Sequence, residues 1–298
     1  MPSFYRNLGL KFAFAACASL NGASAAWSAE PPQMAPLAGW TLSATPYSWL
    51  TFLDGDTTVR GRTAEIDIDP IEVLEHLDAV PWMSYAEARR GPLAFYNDIV
   101  FAKMGIDVSG VRTLGGVTLD AALGLDLTLT IIELGAAYEI ARWGAGGGVK
   151  DANAFARTTA IDLLAGARYW RQEVDISLAV TATLDTSDLE VSGARAIARS
   201  GGVDWVDPVI GARVRHQLAP GQELQLRGDI GGFDVGSKFS WNVLGAYSWH
   251  MFDRHGVSYS GVLGYRLLSV DYEQGAGTTR YEYDVLQHGP LTGLILRF

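Results

Sequence analysis

The sequence predicts an all-β fold, a transmembrane antiparallel up-and-down β-barrel of about twelve strands, with ten to fourteen compatible with the pattern. Three observations carry this prediction. Residues 238–250 alternate almost without fault: Phe239, Trp241, Val243, Gly245, Tyr247 and Trp249 share one face, while Lys238, Ser240, Asn242, Ser248 and His250 share the other. Period-two alternation puts successive side chains on opposite sides of a strand, and here the apolar face carries aromatics at both ends. From Phe239 to Trp249 is eleven residues, and a tilted strand needs about 9–11 to cross a bilayer with its aromatic rings at the headgroup level. The second observation is a secretory leader at the start of the chain. The third is that no later stretch approaches the roughly 18 uninterrupted apolar residues of a membrane helix. Even the most apolar segment, residues 125–140, carries Asp126, Glu133 and Glu139.

In the leader, Arg6 and Lys11 precede an apolar stretch over residues 12–20 and the small-residue run Gly22-Ala23-Ser24-Ala25-Ala26. That is the layout of a signal peptide over residues 1–25, cleaved after Ala25 or Ala26. The only cysteine, Cys17, lies within it, so the mature chain forms no disulfide. Ala15-Ala16-Cys17 resembles a lipid-attachment site, but the apolar run before it begins only after Lys11 and is too short for a signal core. A proline-bearing tether over residues 26–38, with Pro31, Pro32 and Pro36, leads into one domain over residues 39–298. The formal charge of −10 becomes about −12 once Arg6 and Lys11 depart. No basic face suited to nucleic acid is present.

The strands follow in order. Residues 40–52 and 59–68 form the first two, joined by the turn Asp54-Gly55-Asp56. Near residues 70–78, Ile71, Leu74 and Leu77 recur at helical spacing after Asp69-Pro70, which predicts a short helix. Strands three and four, residues 82–89 and 93–104, meet at Arg90-Gly91-Pro92. Residues 105–123 fit either a small extra element or an extension of a neighbour. The fifth strand, residues 125–140, changes phase near Ile131-Ile132, for which a β-bulge is the economical explanation. Strands six and seven carry Ile161, Leu163, Ala165, Ala167, Tyr169 and then Val174, Ile176, Leu178, Val180, Ala182, with Arg171-Gln172-Glu173 as the turn between them. Five more fall at residues 205–218, 223–230, 238–250, 257–272 and 280–298, the last bent at His288-Gly289-Pro290. Short turns would lie on the side of the chain end, and residues 141–157 and 185–204 would form long loops on the other.

Several of these residues also carry a likeness. Thr45-Pro46-Tyr47 with Trp49 leads into Asp54-Gly55; Glu87, Arg89 and Gly91 precede Asp98; Asp207-Pro208 precedes Gly211 and Arg213. Gly228-Asp229-Ile230-Gly231-Gly232-Phe233, Gly264-Tyr265-Arg266 and His288-Gly289-Pro290 complete the series. Together they resemble a family of uncharacterised, porin-like outer-membrane β-barrel proteins of Gram-negative bacteria. The resemblance covers nearly the whole mature chain. It implies the barrel fold and the cell outer membrane as location, and brings no assigned activity. The chain end Leu294-Ile295-Leu296-Arg297-Phe298 also resembles the terminal signal by which such barrels engage the assembly machinery.

With the apolar parity toward outer-membrane lipid, the other parity lines the lumen: Glu87, Arg89, Asp98, Asp162, Arg168, Asp207, Arg213, Arg215, Glu223, Arg227, Asp229 and Arg266. Arg or Lys on the lipid side near the midplane would cost about 2–4 kcal/mol. Mixed acids and arginines either brace a narrow barrel through paired charges or line a selective passage. The expected function is a passive or weakly selective channel for small polar solutes, without cofactor, metal or turnover.

Two alternatives stand beside it. A lipid-acting hydrolase would need a nucleophile, a His and an Asp or Asn together near the outer interface. Of the histidines, His288 is the hardest to dismiss, whereas His216 and His250 lie at strand ends on the far side. The other alternative is a plugged barrel with a structural or adhesive role. Weaker signals carry less. Gly144-Ala145-Gly146-Gly147-Gly148-Val149-Lys150 lacks the spacing of a phosphate loop. Asp185, Asp188 and Glu190 lack that of an EF-hand, and no His/Cys cluster has zinc spacing.

Overall fold

A computed structural model describes residues 39–59, 61–68, 81–114, 117–145, 157–186 and 189–298. The signal peptide, the tether and the predicted helix at residues 70–78 lie outside them. Among the described residues there are twelve strands: β1 Thr41–Trp49, β2 Phe52–Val59, β3 Arg62–Ile68, β4 Trp82–Arg90, β5 Leu93–Leu114, β6 Val117–Ala145, β7 Arg157–Thr186, β8 Leu189–Ala219, β9 Gln222–Gly232, β10 Phe239–Arg254, β11 Val257–Gln274 and β12 Tyr281–Arg297. Every pairing is antiparallel, and β1 joins both β4 and β12, which closes a ring of ten. The hairpin β2–β3 continues beside β12 outside that ring. The fold is therefore the expected up-and-down barrel, and among the described residues the helix is limited to a 3₁₀ turn at Gly277–Thr279.

The wall alternates as the sequence required. Along β10, Ser240, Asn242 and Ser248 are buried inward, whereas Phe239, Val243 and Trp249 are exposed on the outside. Outward aromatics gather in two belts. Phe95, Tyr138, Trp249, Phe252 and Phe298 surround the end that carries Thr41 and the chain terminus; Phe52, Trp82, Phe101 and Phe239 surround the other. The tight turns at Gly91-Pro92, Pro220-Gly221 and His255-Gly256 also lie at the terminus end.

Beyond the upper belt β5, β6, β7 and β8 run on. They are 22, 29, 30 and 31 residues long, well over the 9–11 a crossing needs. Their pairing continues to Leu114↔Val117 and Thr186↔Leu189, forming a four-stranded extension above the wall. Residues 105–114 and 117–123 are thus extensions of β5 and β6.

Several boundaries differ from the sequence reading. Arg171-Gln172-Glu173 is no turn: β7 passes straight through it, so predicted strands six and seven are one. Polar residues there mark the point where the strand leaves the apolar belt. For the same reason most of residues 185–204 belong to paired strand. Residues 141 to 145 and 157 pair at the terminus end, opposite to the side expected for that connection. The first hairpin, with Val59 paired to Arg62, turns at Gly61 and not at Asp54-Gly55-Asp56, which lie inside β2. Gly55 is required there because a Cβ would sit 2.1 Å from the Asp284 carbonyl oxygen.

The expected bulge at Ile131-Ile132 is absent, and the register slips instead between Glu139 and Ala141. Ile131 and Leu129 keep the inward parity of Glu133. What changes at Ile131 is the lining of the interior, from charged to apolar. At His288-Gly289-Pro290, β12 changes partner from β2 to β1. A Cβ on Gly289 would meet the Leu50 oxygen at 1.8 Å, so only glycine permits that exchange.

Candidate functional site

The inward parity of the terminus-proximal half is charged, and all twelve interior candidates from the sequence face inward. Eleven make hydrogen bonds or ion pairs there or at the rim. Arg168, fully buried, donates to Glu133 at 2.7 and 3.0 Å and to Asp229 at 2.6 Å. Arg227 bonds the same two acids, Asp229 at 3.0 Å and Glu133 by a short contact, and lies over the Tyr96 ring. Asn242 donates to Asp229 at 2.8 Å and accepts from Arg266 at 3.0 Å. Arg266 then crosses to Asp98 at 2.8 Å, where Tyr47 also donates, at 2.7 Å. One chain of charge-assisted bonds therefore spans the interior from β7 to β5.

A second group lies nearer the terminus end. Arg213 donates to Glu87 at 2.6 Å and Asp162 at 2.9 Å, and Tyr85 donates to Glu87 at 2.7 Å. Arg215 joins Asp162 to Glu139 at 3.1 and 2.9 Å, and Arg89 joins Glu87 to Asp162 at 3.1 and 3.3 Å. Planar guanidinium groups suit this work because each presents several donors in a fixed fork to two acids. Asp207 stands apart. Its carboxylate accepts from the Ser237 backbone at 2.7 Å, the Ser237 hydroxyl at 2.9 Å and Trp205 Nε1 at 3.3 Å, pinning the β9–β10 turn to the wall. Glu223 lines the cavity described below.

Glu133, Glu139, Tyr47, Tyr85 and Tyr96 also belong to the interior set, although they are not among the twelve candidates. The two acids share the inward parity and could have been found by it. The tyrosines look apolar in a hydropathy pattern, and only their bonds to acids reveal them.

Beyond the charged layer the interior is mostly apolar, with Gln172 and Gln287 buried in it. Trp170 stacks on Trp205 with centroids 5.5 Å apart, and Trp205 on Tyr272 at 3.9 Å. Ile131, Leu268, Val270 and Val285 pack into the same cluster, each no more than 2% exposed. On the terminus side of the ion pairs a cavity of about 280 Å³ remains, lined by residues including Thr41, Ser43, Gln225, Ser248 and Arg297. It reaches inward to Asp98, Asn242 and Arg266. Among the described residues no group of three or more His, Cys, Asp or Glu is arranged to hold a metal ion. At the outer rim, in the β9–β10 turn, hydrogen bonding to Glu273 at 2.6 Å raises the Lys238 ammonium above its ordinary value.

A closed antiparallel ring, apolar and belted with aromatics outside and ion-paired inside, is the build of a bilayer-spanning β-barrel, the class seen in Gram-negative outer membranes. No protein-family model matches the chain, and no curated protein sequence does. Solved outer-membrane proteins are similar in outline. Ail, the attachment invasion locus protein of Yersinia pestis, is 10% identical over 87% of this chain and 99% of its own, with a TM-score of 0.29. A Pseudomonas aeruginosa FadL homologue is 7% identical over 87% and 89%, with a TM-score of 0.26. Pseudomonas aeruginosa OccK2 is 11% identical over 88% and 99%, with a TM-score of 0.21. Superpositions this loose fix neither strand count nor activity.

Proposed function

We propose that the protein is an outer-membrane barrel sealed along its axis, a rigid platform that holds the β5–β8 extension on the outer side. One observation carries this reading: the interior is filled at two successive levels, first by ion pairs and then by the Trp170–Trp205–Tyr272 stack. Outer-membrane lipid would cover the apolar face, and the chain end at Phe298 would engage the assembly machinery. The sealed interior needs no cofactor and performs no turnover.

The passage expected from the sequence, for small polar solutes, has its own supporting observation in the 280 Å³ cavity that enters from the terminus end. To conduct, both layers would have to part. Reconstitution in planar bilayers separates the two readings. The sealed barrel gives no steady conductance, and the double variant W170A/W205A, which removes the stack, raises the frequency of opening events. Steady conductance steps from the unmodified protein would overturn the sealed reading in favour of the passage.

A further inference from the structure

On the outer face of the wall, three side chains from three strands converge. Tyr265 Oη on β11 lies 2.7 Å from His288 Nδ1 on β12, and His288 Nε2 lies 2.8 Å from Asp54 Oδ2 on β2. The imidazole stacks on Phe52 with centroids 5.1 Å apart and planes 13° apart. Both ring nitrogens are engaged, and the ring orientation is fixed from a third side.

The carboxylate at Nε2 selects the tautomer that carries its proton there, leaving the Nδ1 lone pair to accept from the phenol. A hydroxyl, a base within hydrogen-bond reach and an acid that orients the base make the arrangement of an activated nucleophile. From these distances we infer that Tyr265, His288 and Asp54 form an acyl-transfer site for ester-linked lipids of the outer leaflet. The inference rests on the lipid-facing placement of this wall.

Location supports it. His288 has the outward parity of β12, opposite to the buried Tyr283, Val285, Gln287 and Leu291. Tyr265 is 42% exposed, and Phe52, paired with His288, belongs to the upper aromatic belt. Aromatic belts lie at the headgroup level, beside the ester bonds of a lipid. Ionisable groups on a lipid-facing surface are costly to keep, which favours use over decoration. A structural pin between β2 and β12 would need only the His–Asp bond; the engaged phenol adds nothing to that pin.

The chemistry balances as ester hydrolysis. Tyr265 Oη bonds to the ester carbonyl carbon while its proton passes to His288 Nδ1, and Asp54 stabilises the imidazolium through Nε2. The ester C–O bond then breaks, and the departing alcohol takes the proton back from Nδ1. Water attacks the acyl-tyrosine with His288 again accepting its proton, which releases the fatty acid and restores the phenol.

The test uses the full chain in detergent micelles with p-nitrophenyl palmitate, and phosphatidylethanolamine in mixed micelles as the lipid ester. Wild type should show a nitrophenolate burst of at most one per chain, followed by slow turnover and fatty-acid release from the lipid. Y265F should abolish the burst, H288Q should lower turnover by about 100-fold or more, the contribution of a positioned general base, and D54N should lower it by less than H288Q does. Unchanged heat-modifiable gel mobility would show that the variants remain folded. Acid-quenched peptide mapping of wild type alone, with the palmitoyl mass on Tyr265, decides the matter even where a variant fails to assemble. Wild-type turnover no greater than that of H288Q, or a burst that survives in Y265F, would overturn the inference. Conductance is unaffected by either outcome, so the sealed-barrel reading is judged separately.

Discussion

Replacing Arg168 by Met removes the most deeply buried cation of the charged layer while keeping a long apolar stem. Arg168 makes three charge-assisted bonds, to Glu133 at 2.7 and 3.0 Å and to Asp229 at 2.6 Å. A hydrogen bond to a charged group contributes about 1.5–3 kcal/mol, and removing one partner of a buried pair costs about 3–5 kcal/mol. Both acids keep Arg227, so neither is left bare. That places R168M at the lower end, about 3 kcal/mol, or about 150-fold in the folding equilibrium. Arg171 provides the control, because its partner Glu173 is exposed on the same strand; R171M should cost no more than about 1 kcal/mol. The assay is urea unfolding in detergent micelles, followed by tryptophan fluorescence. Adding E133Q to R168M removes one of the charges left behind, and the double variant should lose less stability than the two single losses combined. Equal midpoints for R168M and R171M would refute the bracing of the wall by interior ion pairs.

Other substitutions test the parity, the turn and the strand exchange. Leu134, 59% exposed on the outer face of β6, should cost about 2–4 kcal/mol on change to Arg, measured by unfolding in liposomes. D207A removes the acceptor of three bonds from Ser237 and Trp205; protease cleavage within residues 233–237 should accelerate while the rest of the wall stays resistant. G289A puts a methyl group 1.8 Å from the Leu50 oxygen, so refolding yield, read by heat-modifiable gel mobility, should fall by at least several-fold.

The sequence by itself determined the wall. In residues 238–250 the alternation, its length and its terminal aromatics together require a strand with one face in lipid, and the same rule sent Arg168, Asp229 and Arg266 inward. This works because side-chain direction in a strand depends only on parity, a local property. Strand ends are less local: Arg171-Gln172-Glu173 has the composition of a turn, but its backbone stays paired to β6 and β8 because the strand carries on above the apolar belt. The apolar run through Leu129 and Ile131 imitates a phase change because the inward-facing side chains at that level are themselves apolar. Partner choice is wholly tertiary. Arg266 meets Asp98 across 168 positions and His288 meets Asp54 across 234, since ring closure and register, not spacing, decide which side chains face one another.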